Sequence, residues 1–216
     1  MASAASSMRD DQRSYAARPP KSVGGSLALD FINTITWRGD PARQAERLRD
    51  YGELVHWARG LNLIDARSAA SLLTEAEARP AMAEKARALA LRLRAELEQT
   101  FDAGPKGTTD LAEATGLIRD MAKIGMLAQK KRGAAHFWQP VADPPDLRLP
   151  LLPVAISAMA LATSHRRQHL RSCADPHCGW MFVDETRNHS RQWCSMEGCG
   201  NRAKARAHYA RRKAAG

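Results

Sequence analysis

The four cysteines of this 216-residue chain all lie within its last 44 residues. Cys173, Cys178, Cys194 and Cys199 form two pairs, each with four residues between its cysteines, and fifteen residues separate the pairs. Four thiolates at this spacing can complete a tetrahedral Zn²⁺ shell with Zn–S bonds of about 2.3 Å. Such a site allows a segment of roughly 45 residues to fold although it buries too little apolar surface by itself.

Two local disulfides, an iron–sulfur cluster and redox-active thiols are the alternatives to zinc. No apolar run reaches the ~18 residues of a membrane span, and the N-terminus has no apolar core of the kind a secretory signal needs. We therefore expect a cytoplasmic protein without a membrane partner, in which reduced, paired cysteines are typical of metal ligands. Because protein fills all four ligand positions, we predict one structural zinc rather than a catalytic one.

The positive charge of the chain is concentrated near the cysteines. The net charge is +10, and residues 163–216 hold eleven Lys and Arg against four Asp and Glu. Residues 1–162 are close to neutral, with 22 basic residues against 19 acidic ones. A basic block attached to a near-neutral domain indicates a polyanionic partner, most often nucleic acid.

The part of the chain before the cysteines is predicted to be mainly α-helical. Residues 1–24 are rich in Ala, Ser, Arg and Pro and predict a disordered tail. A helical domain is expected over 25–165 and a zinc-binding domain over 166–216. Apolar periodicity and capping residues predict helices over about 26–37, 43–59, 66–78, 81–102, 109–131 and 151–171, with a short β-hairpin or an extended loop within 133–150.

The zinc-binding segment is expected to form a small treble-clef-like ββα finger. In the loop between the first two cysteines, Pro176 restricts φ and Gly179 permits a left-handed conformation, which predicts a knuckle. A strand over 180–184, a returning strand over 191–193 and a helix from about 200 to 213 follow. His177 is an alternative ligand within the first loop. We expect loss of zinc, as in Cys194→Ser, to unfold this segment while the helical domain survives.

The last predicted helix carries charge of one sign, because no acidic residue follows Glu197. Solvated helices ordinarily mix both signs, and a one-sign helix is stabilised when it meets phosphates. A helix also has the width of the DNA major groove. A solvated cationic surface is the alternative. The candidate nucleic-acid contacts are Arg187, Asn188 and Arg191 in the turn between the strands, and Asn201, Arg202, Lys204, Arg206 and Arg211 on the helix.

Asp30, Asn33 and Thr34 form a polar set within an otherwise apolar helix start. Their spacing of three and four residues can place them on one face of the helix. They are candidates for the polar anchors of a small-ligand pocket. The alternative, which we favour, is that they cap a neighbouring helix or satisfy buried backbone groups.

At these residues the chain resembles a known family. Residues 171–213 resemble the CGNR zinc finger, named for the string Cys199-Gly200-Asn201-Arg202, and Gln192 stands where a basic residue is usual. The preceding part resembles the ABATE domain, and its best mark is the string Leu27-Ala28-Leu29-Asp30-Phe31-Ile32-Asn33-Thr34. The finger's flanking matches are Cys178-Gly179-Trp180, Phe182-Val183-Asp184, Arg187-Asn188, Arg191-Gln192-Trp193-Cys194-Ser195-Met196 and Lys204-Ala205-Arg206.

The resemblance covers about residues 25–213 and implies a stress-induced bacterial transcription regulator. We therefore expect a zinc-dependent protein that binds double-stranded DNA through its finger, and whose helical domain senses a small-molecule effector or forms a homodimer. An RNA-binding or ribosome-associated protein and a zinc-stabilised protein-interaction module are the alternatives. We do not expect an enzyme, because the chain has no glycine-rich phosphate loop, nucleophile elbow or paired His/carboxylate constellation.

Overall fold

A computed structural model describes residues 13–102, 110–129, 136–140 and 144–214, with side-chain environments for all of these except 124–129 and 136–140. The fold is mainly helical with short β-hairpins, as predicted. The helices are α1 (Leu27–Ile32), α2 (Tyr51–Gly60), α3 (Ala66–Ala78), α4 (Pro80–Asp102), α5 (Ala112–Ile124), α6 (Leu152–Ala162) and α7 (Asn201–Ala214). The strands are β1 (Ile35–Thr36), β2 (Ala45–Glu46), β3 (Gly125–Gln129), β4 (His136–Pro140), β5 (Leu170–Ser172) and β6 (Met181–Val183).

Carboxylates at N-caps determine where two of the helices begin. Asp65 accepts a hydrogen bond from Ser68 N at 2.8 Å, and α3 has the bounds that the sequence predicts. Asp50 accepts from Glu53 N at 2.8 Å, so α2 begins at Tyr51. The helix predicted from residue 43 therefore starts later, because residues 45–46 pair with β1 instead.

The main hydrophobic core lies between α1, α2, α4, α5 and α6. On α4, Ala90, Leu93 and Leu97 are fully buried at the helical spacing that predicts this face. Phe31 of α1 meets Trp57 of α2 edge to face, with ring centroids 5.2 Å apart. None of the helices within the described ranges combines the length and the apolar character that a bilayer-spanning segment needs.

Three predicted helices are shorter than their apolar patterns suggest. The helix predicted over 26–37 ends at Ile32, and the helix predicted over 109–131 ends at Ile124 and leads into β3. Strand β3 pairs with β4, from Gly125 opposite Pro140 to Gln129 opposite His136, so a hairpin forms but begins before residue 133. The helix predicted over 151–171 ends at Ala162, and a 3₁₀ turn at His165–His169 leads into β5.

Residues 13–24, which we expected to belong to a disordered tail, pack against the helical part of the molecule. Tyr15 is 3% exposed, and its backbone N donates to Glu53 Oε2 at 2.8 Å. The backbone N of Gly24 donates to Asp30 Oδ1 at 2.8 Å. Buried carboxylates on α1 and α2 need donors, and this segment supplies them. Residues 1–12 lie outside the described part of the chain.

The strand predicted over 180–184 forms as β6, but its partner strand is not the predicted one. Strand β6 pairs antiparallel with β5, with Ser172 opposite Met181 and Leu170 opposite Val183. The segment 191–193, predicted as the partner strand, has no strand structure. Met181 and Val183 are buried and belong to the same core as the helices. The finger is therefore joined to the helical part through a continuous apolar core.

Candidate metal centre

The four cysteine sulfurs converge on one point, with all four lying within 4.8 Å of one another. The Sγ atoms of Cys178 and Cys194 are 3.7 Å apart, and those of Cys194 and Cys199 are 3.5 Å apart. A tetrahedral shell with Zn–S bonds of about 2.3 Å requires S–S distances of about 3.8 Å. All four cysteines are buried and form no disulfide. The cluster therefore fits one structural zinc ion with four protein ligands, as the spacing predicts.

Two local backbone structures place these ligands. The first pair lies on the knuckle between β5 and β6, where Cys178 N donates to Asp175 O at 2.9 Å. Gly179 has a φ of +67°, and a Cβ at this position would lie 2.8 Å from Arg38 Cβ, so glycine is needed there. Cys199 lies in a π-helical turn, Met196–Gly200, directly before α7.

Hydrogen bonds to sulfur reduce the cost of gathering negative charge in the cluster. Cys194 N lies 3.5 Å from Cys173 Sγ and donates to it. His177, the alternative ligand, is not part of the cluster, because its Nδ1 lies 3.1 Å from Asp40 Oδ2.

Arg202, a predicted nucleic-acid contact, lies against the metal cluster. Its Nη2 is 2.9 Å from Cys199 Sγ, and its Nε donates to Asp175 Oδ2 at 3.1 Å. The Asp175 side chain is fully buried and also pairs with Arg206 at 3.5 Å. Arg202 therefore offsets thiolate charge and anchors the first turn of α7. Sequence reasoning missed Asp175, although an acidic residue inside the loop between two ligands is a usable signal.

Arg191, another predicted contact, is directed at the backbone of the finger. Its guanidinium donates to the carbonyl oxygens of Val23 at 2.9 Å and Trp193 at 3.0 Å. It also lies 4.1 Å above the ring of Phe182. These bonds tie the second ligand segment to the N-terminal segment, a role that charge patterns cannot distinguish from phosphate binding.

Arg187 and Asn188 lie in an exposed turn, residues 186–190, held by the carboxylate of Asp184. Asp184 Oδ1 accepts from the Thr186 hydroxyl at 2.6 Å, and Oδ2 accepts from Arg191 N at 2.9 Å. The turn is thus fixed at its base while Arg187 and Asn188 are exposed to solvent.

Helix α7 extends into solvent beyond its first turn. It has no buried residue, and residues 204–214 are all exposed. Asn201 Nδ2 donates to Glu197 O at 3.2 Å at the start of the helix. Within the described ranges, Lys204 and Arg211 take part in none of the ion pairs.

The polar side chains of Asp30, Asn33 and Thr34 form hydrogen bonds with other groups of the protein. Asn33 binds Met181 of β6 through both amide atoms, each at 2.9 Å. Asp30 accepts from Ser22 Oγ at 2.6 Å and from two backbone N–H groups, and burial, opposed by these bonds, raises its pKa. Thr34 accepts from Arg94 Nη1 at 2.8 Å. These contacts satisfy buried backbone and side-chain groups of the protein, and a ligand-binding role for the three residues stays a prediction.

A further set of contacts between the helical part and the knuckle carries no local sequence signal. Arg38 N donates to Cys178 O at 3.0 Å, and Arg38 Nη1 donates to Gly179 O at 2.8 Å. Trp180 Nε1 donates to Ile35 O at 2.8 Å. Because the partners are more than 100 residues apart in sequence, only the folded chain reveals them.

Comparisons with known proteins agree with this architecture. Residues 169–212 match the family model of the CGNR zinc finger. Residues 25–165 match the ABATE model, described as "Putative stress-induced transcription regulator". A search of curated proteins found no match. The ABATE match covers more than half of the chain, and the chain therefore belongs to the ABATE family and carries a CGNR zinc finger after that domain.

Proposed function

We propose that this protein is a zinc-dependent transcription regulator that binds duplex DNA through α7 and the exposed turn 186–190. The observation that carries the proposal is the charge and exposure of α7. The helix holds six Lys and Arg and no Asp or Glu, and none of its residues is buried. The family description, a transcription regulator, is consistent with this role.

The physical properties of α7 favour a polyanionic partner. A helix of 14 residues without a buried face is only marginally stable in water. Its like charges repel one another, and phosphates would remove that repulsion. The exposed helix also has the diameter that enters the DNA major groove, where Arg can bind guanine through two hydrogen bonds.

The predicted contact residues divide into two groups by their surroundings. Lys204 and Arg211 on α7, with Arg187 and Asn188 in the turn, are exposed and suited to phosphate or base contacts. Arg206 is exposed but lies 3.5 Å from Asp175, so it can bind DNA only by sharing or leaving that partner. We propose that Arg191 and Arg202 act indirectly, by holding the finger together.

The proposal is tested by fluorescence anisotropy of zinc-loaded, full-length protein with a labelled random-sequence duplex across a salt series. The double variant Lys204→Gln/Arg211→Gln should weaken binding and reduce the slope of log affinity against log salt by about 1.8. The matched control is Arg67→Gln, an exposed arginine on α3, which should bind like the wild type.

Two outcomes would contradict the proposal. No duplex binding at low salt would reject it, and preferential displacement of the duplex by structured RNA would favour an RNA partner.

For the helical part we propose signal sensing or dimerisation, because a single small finger has a short footprint on DNA. Light scattering at the concentrations used for binding measures the oligomeric state.

A further inference from the structure

A cleft of about 310 Å³ opens between the N-terminal segment and the zinc finger. Its volume falls within the range of about 300–1,000 Å³ typical of small-molecule sites. Four cationic side chains and two indole rings are among its lining groups: Arg18, Lys21, Arg47 and Arg202, with Trp37 and Trp180. The cleft combines positive charge with apolar walls, which is the composition of a site for an organic anion.

The charge balance of the cleft favours an anion despite the thiolates behind it. Glu197 is the acidic residue among the lining residues, and it is exposed and paired with Lys21 at 3.3 Å. Three of the zinc ligands form part of the wall, and a zinc tetrathiolate carries a charge of about −2. Arg202 Nη2 lies 2.9 Å from Cys199 Sγ, so a guanidinium offsets this charge at the cleft wall.

Arg47 brings a positive charge in a fixed position to the cleft wall. Its Nε is buried and has no hydrogen-bond partner within the described part of the chain. The rest of the guanidinium is held in place, because Nη2 donates to Arg13 O at 3.2 Å and the group lies 3.9 Å above the Tyr15 ring. The Arg47 guanidinium is therefore fixed at the cleft wall, where its positive charge favours an anion in the cleft.

The indole rings are held in fixed positions by the surrounding structure. Trp37 has a φ of +57°, a costly conformation for a bulky residue that persists only where its surroundings impose it. The guanidiniums of Arg43 and Arg202 lie 3.6 and 4.8 Å from its ring centroid. Trp180 is tied to Ile35 O through Nε1 and remains half-buried. Trp37 is only 8% exposed and reaches the cleft with part of its ring, so Trp180 is the ring against which a flat apolar ligand body can pack.

We infer that this cleft binds a small organic anion, with a carboxylate or phosphate held by Arg47, Lys21 and Arg18 and a flat apolar body against Trp180. The inference does not depend on DNA binding, because the exposed part of α7 contributes nothing to the cleft lining. Occupation of the cleft would nevertheless place the ligand beside Arg202, the anchor of α7.

Isothermal titration calorimetry on the zinc-loaded, full-length protein tests this inference with three probes of one shape: naphthoate, naphthyl phosphate and the neutral naphthylmethanol. At least one of the anions should bind with a dissociation constant of about 1 mM or tighter, which is reasonable for a ligand of this size. The neutral probe should bind about tenfold more weakly, since it lacks a charge-assisted hydrogen bond. The tighter anion identifies the head group.

Two variants locate the binding site. Arg47→Gln should weaken anion binding about tenfold, because it removes a charged donor from the cleft. Lys21→Gln changes an exposed side chain, so it should leave the fold intact and weaken binding about threefold. Arg67→Gln is the control for both, and thermal unfolding establishes that each variant is folded.

The inference is wrong if neither anion binds, if naphthylmethanol binds as tightly as the anions, or if both cleft variants bind like the wild type. If the cleft variants lose affinity for duplex DNA while neither anion binds, the cleft belongs to the nucleic-acid surface. Failure of DNA binding alone would leave the calorimetric result unchanged, so the two proposals fail separately.

Discussion

At the scale of single residues, Asp175 connects the zinc site to α7. Its buried carboxylate accepts from Arg202 Nε at 3.1 Å and from His177 N at 3.3 Å, and it pairs with Arg206. One acidic residue thereby orders two of the six basic residues of the helix. For this reason Arg202 is bound to Asp175 whereas Lys204 is exposed, although the sequence presents the two residues as equivalent cations.

Replacing Asp175 by Asn should lower the free energy of unfolding by about 1–3 kcal/mol, because the arginines lose a charged acceptor. The half-exposed Arg202 and Arg206 can recover water, which keeps the loss below that of a fully buried ion pair. Urea unfolding of zinc-loaded protein, followed by tryptophan fluorescence, measures the change. Glu77→Gln, an exposed residue of α3, is the control and should stay within about 0.5 kcal/mol of wild type. Equal losses in the two variants would contradict the role of Asp175.

At the scale of secondary-structure elements, α7 is attached through its first turn and through the Arg206–Asp175 ion pair of its second. Arg202 and Ala203 are half-buried, whereas residues 204–214 are exposed. The exposed turns contribute nothing to the core. Loss of their helical structure should therefore leave the stability of the fold nearly unchanged.

Ala207→Pro tests this separation, since proline inside a helix costs about 3 kcal/mol relative to alanine. Far-UV circular dichroism should lose part of its helical signal, and the unfolding temperature should stay close to that of wild type. Affinity for the DNA duplex should fall at least about tenfold, since the helix could no longer be presented as one unit. Ala207→Gln keeps the helix and should bind like wild type. Unchanged DNA affinity in the proline variant would move the contact surface away from α7.

The elements that the sequence predicts well are those with local signals. Helix α3 begins after Asp65, a capping residue, and the metal cluster follows from the spacing of four cysteines. The helix predicted over 151–171 extends into the first two residues of strand β5, because the strand partner of Leu170, Val183, lies thirteen residues away and leaves no local signal. The inward direction of Arg191 also depends on a distant group, the carbonyl of Val23. Such long-range partners leave no periodic trace in the sequence.

At the scale of the whole molecule, the finger and the helical part share buried structure. Met181 and Val183 lie in the main core, and Asn33 of the helical part binds the backbone of Met181. Val183 N donates to Gly24 O at 2.8 Å on the same strand. The sequence alone led us to expect that the helical part survives loss of zinc, and this shared core changes that expectation.

Removal of zinc by a chelator should lower the unfolding temperature of the whole protein by roughly 10 °C or more, because metal binding is coupled to folding. Tryptophan fluorescence and far-UV circular dichroism should report the same single transition. Cys194→Ser, with one ligand missing, should unfold at the lower temperature and respond little to the chelator. Two separate transitions, with the helical one unchanged after chelation, would show that the finger is independent.

The pairing of Asn33 with Met181 also limits how such a protein can be recombined. The two family models divide the chain between residues 165 and 169, yet the amide of Asn33 lies buried on one side of that division and its partner on the other. A gene fusion that exchanged the finger for an unrelated one would leave this amide buried without a partner. The two segments are therefore expected to be inherited as a pair.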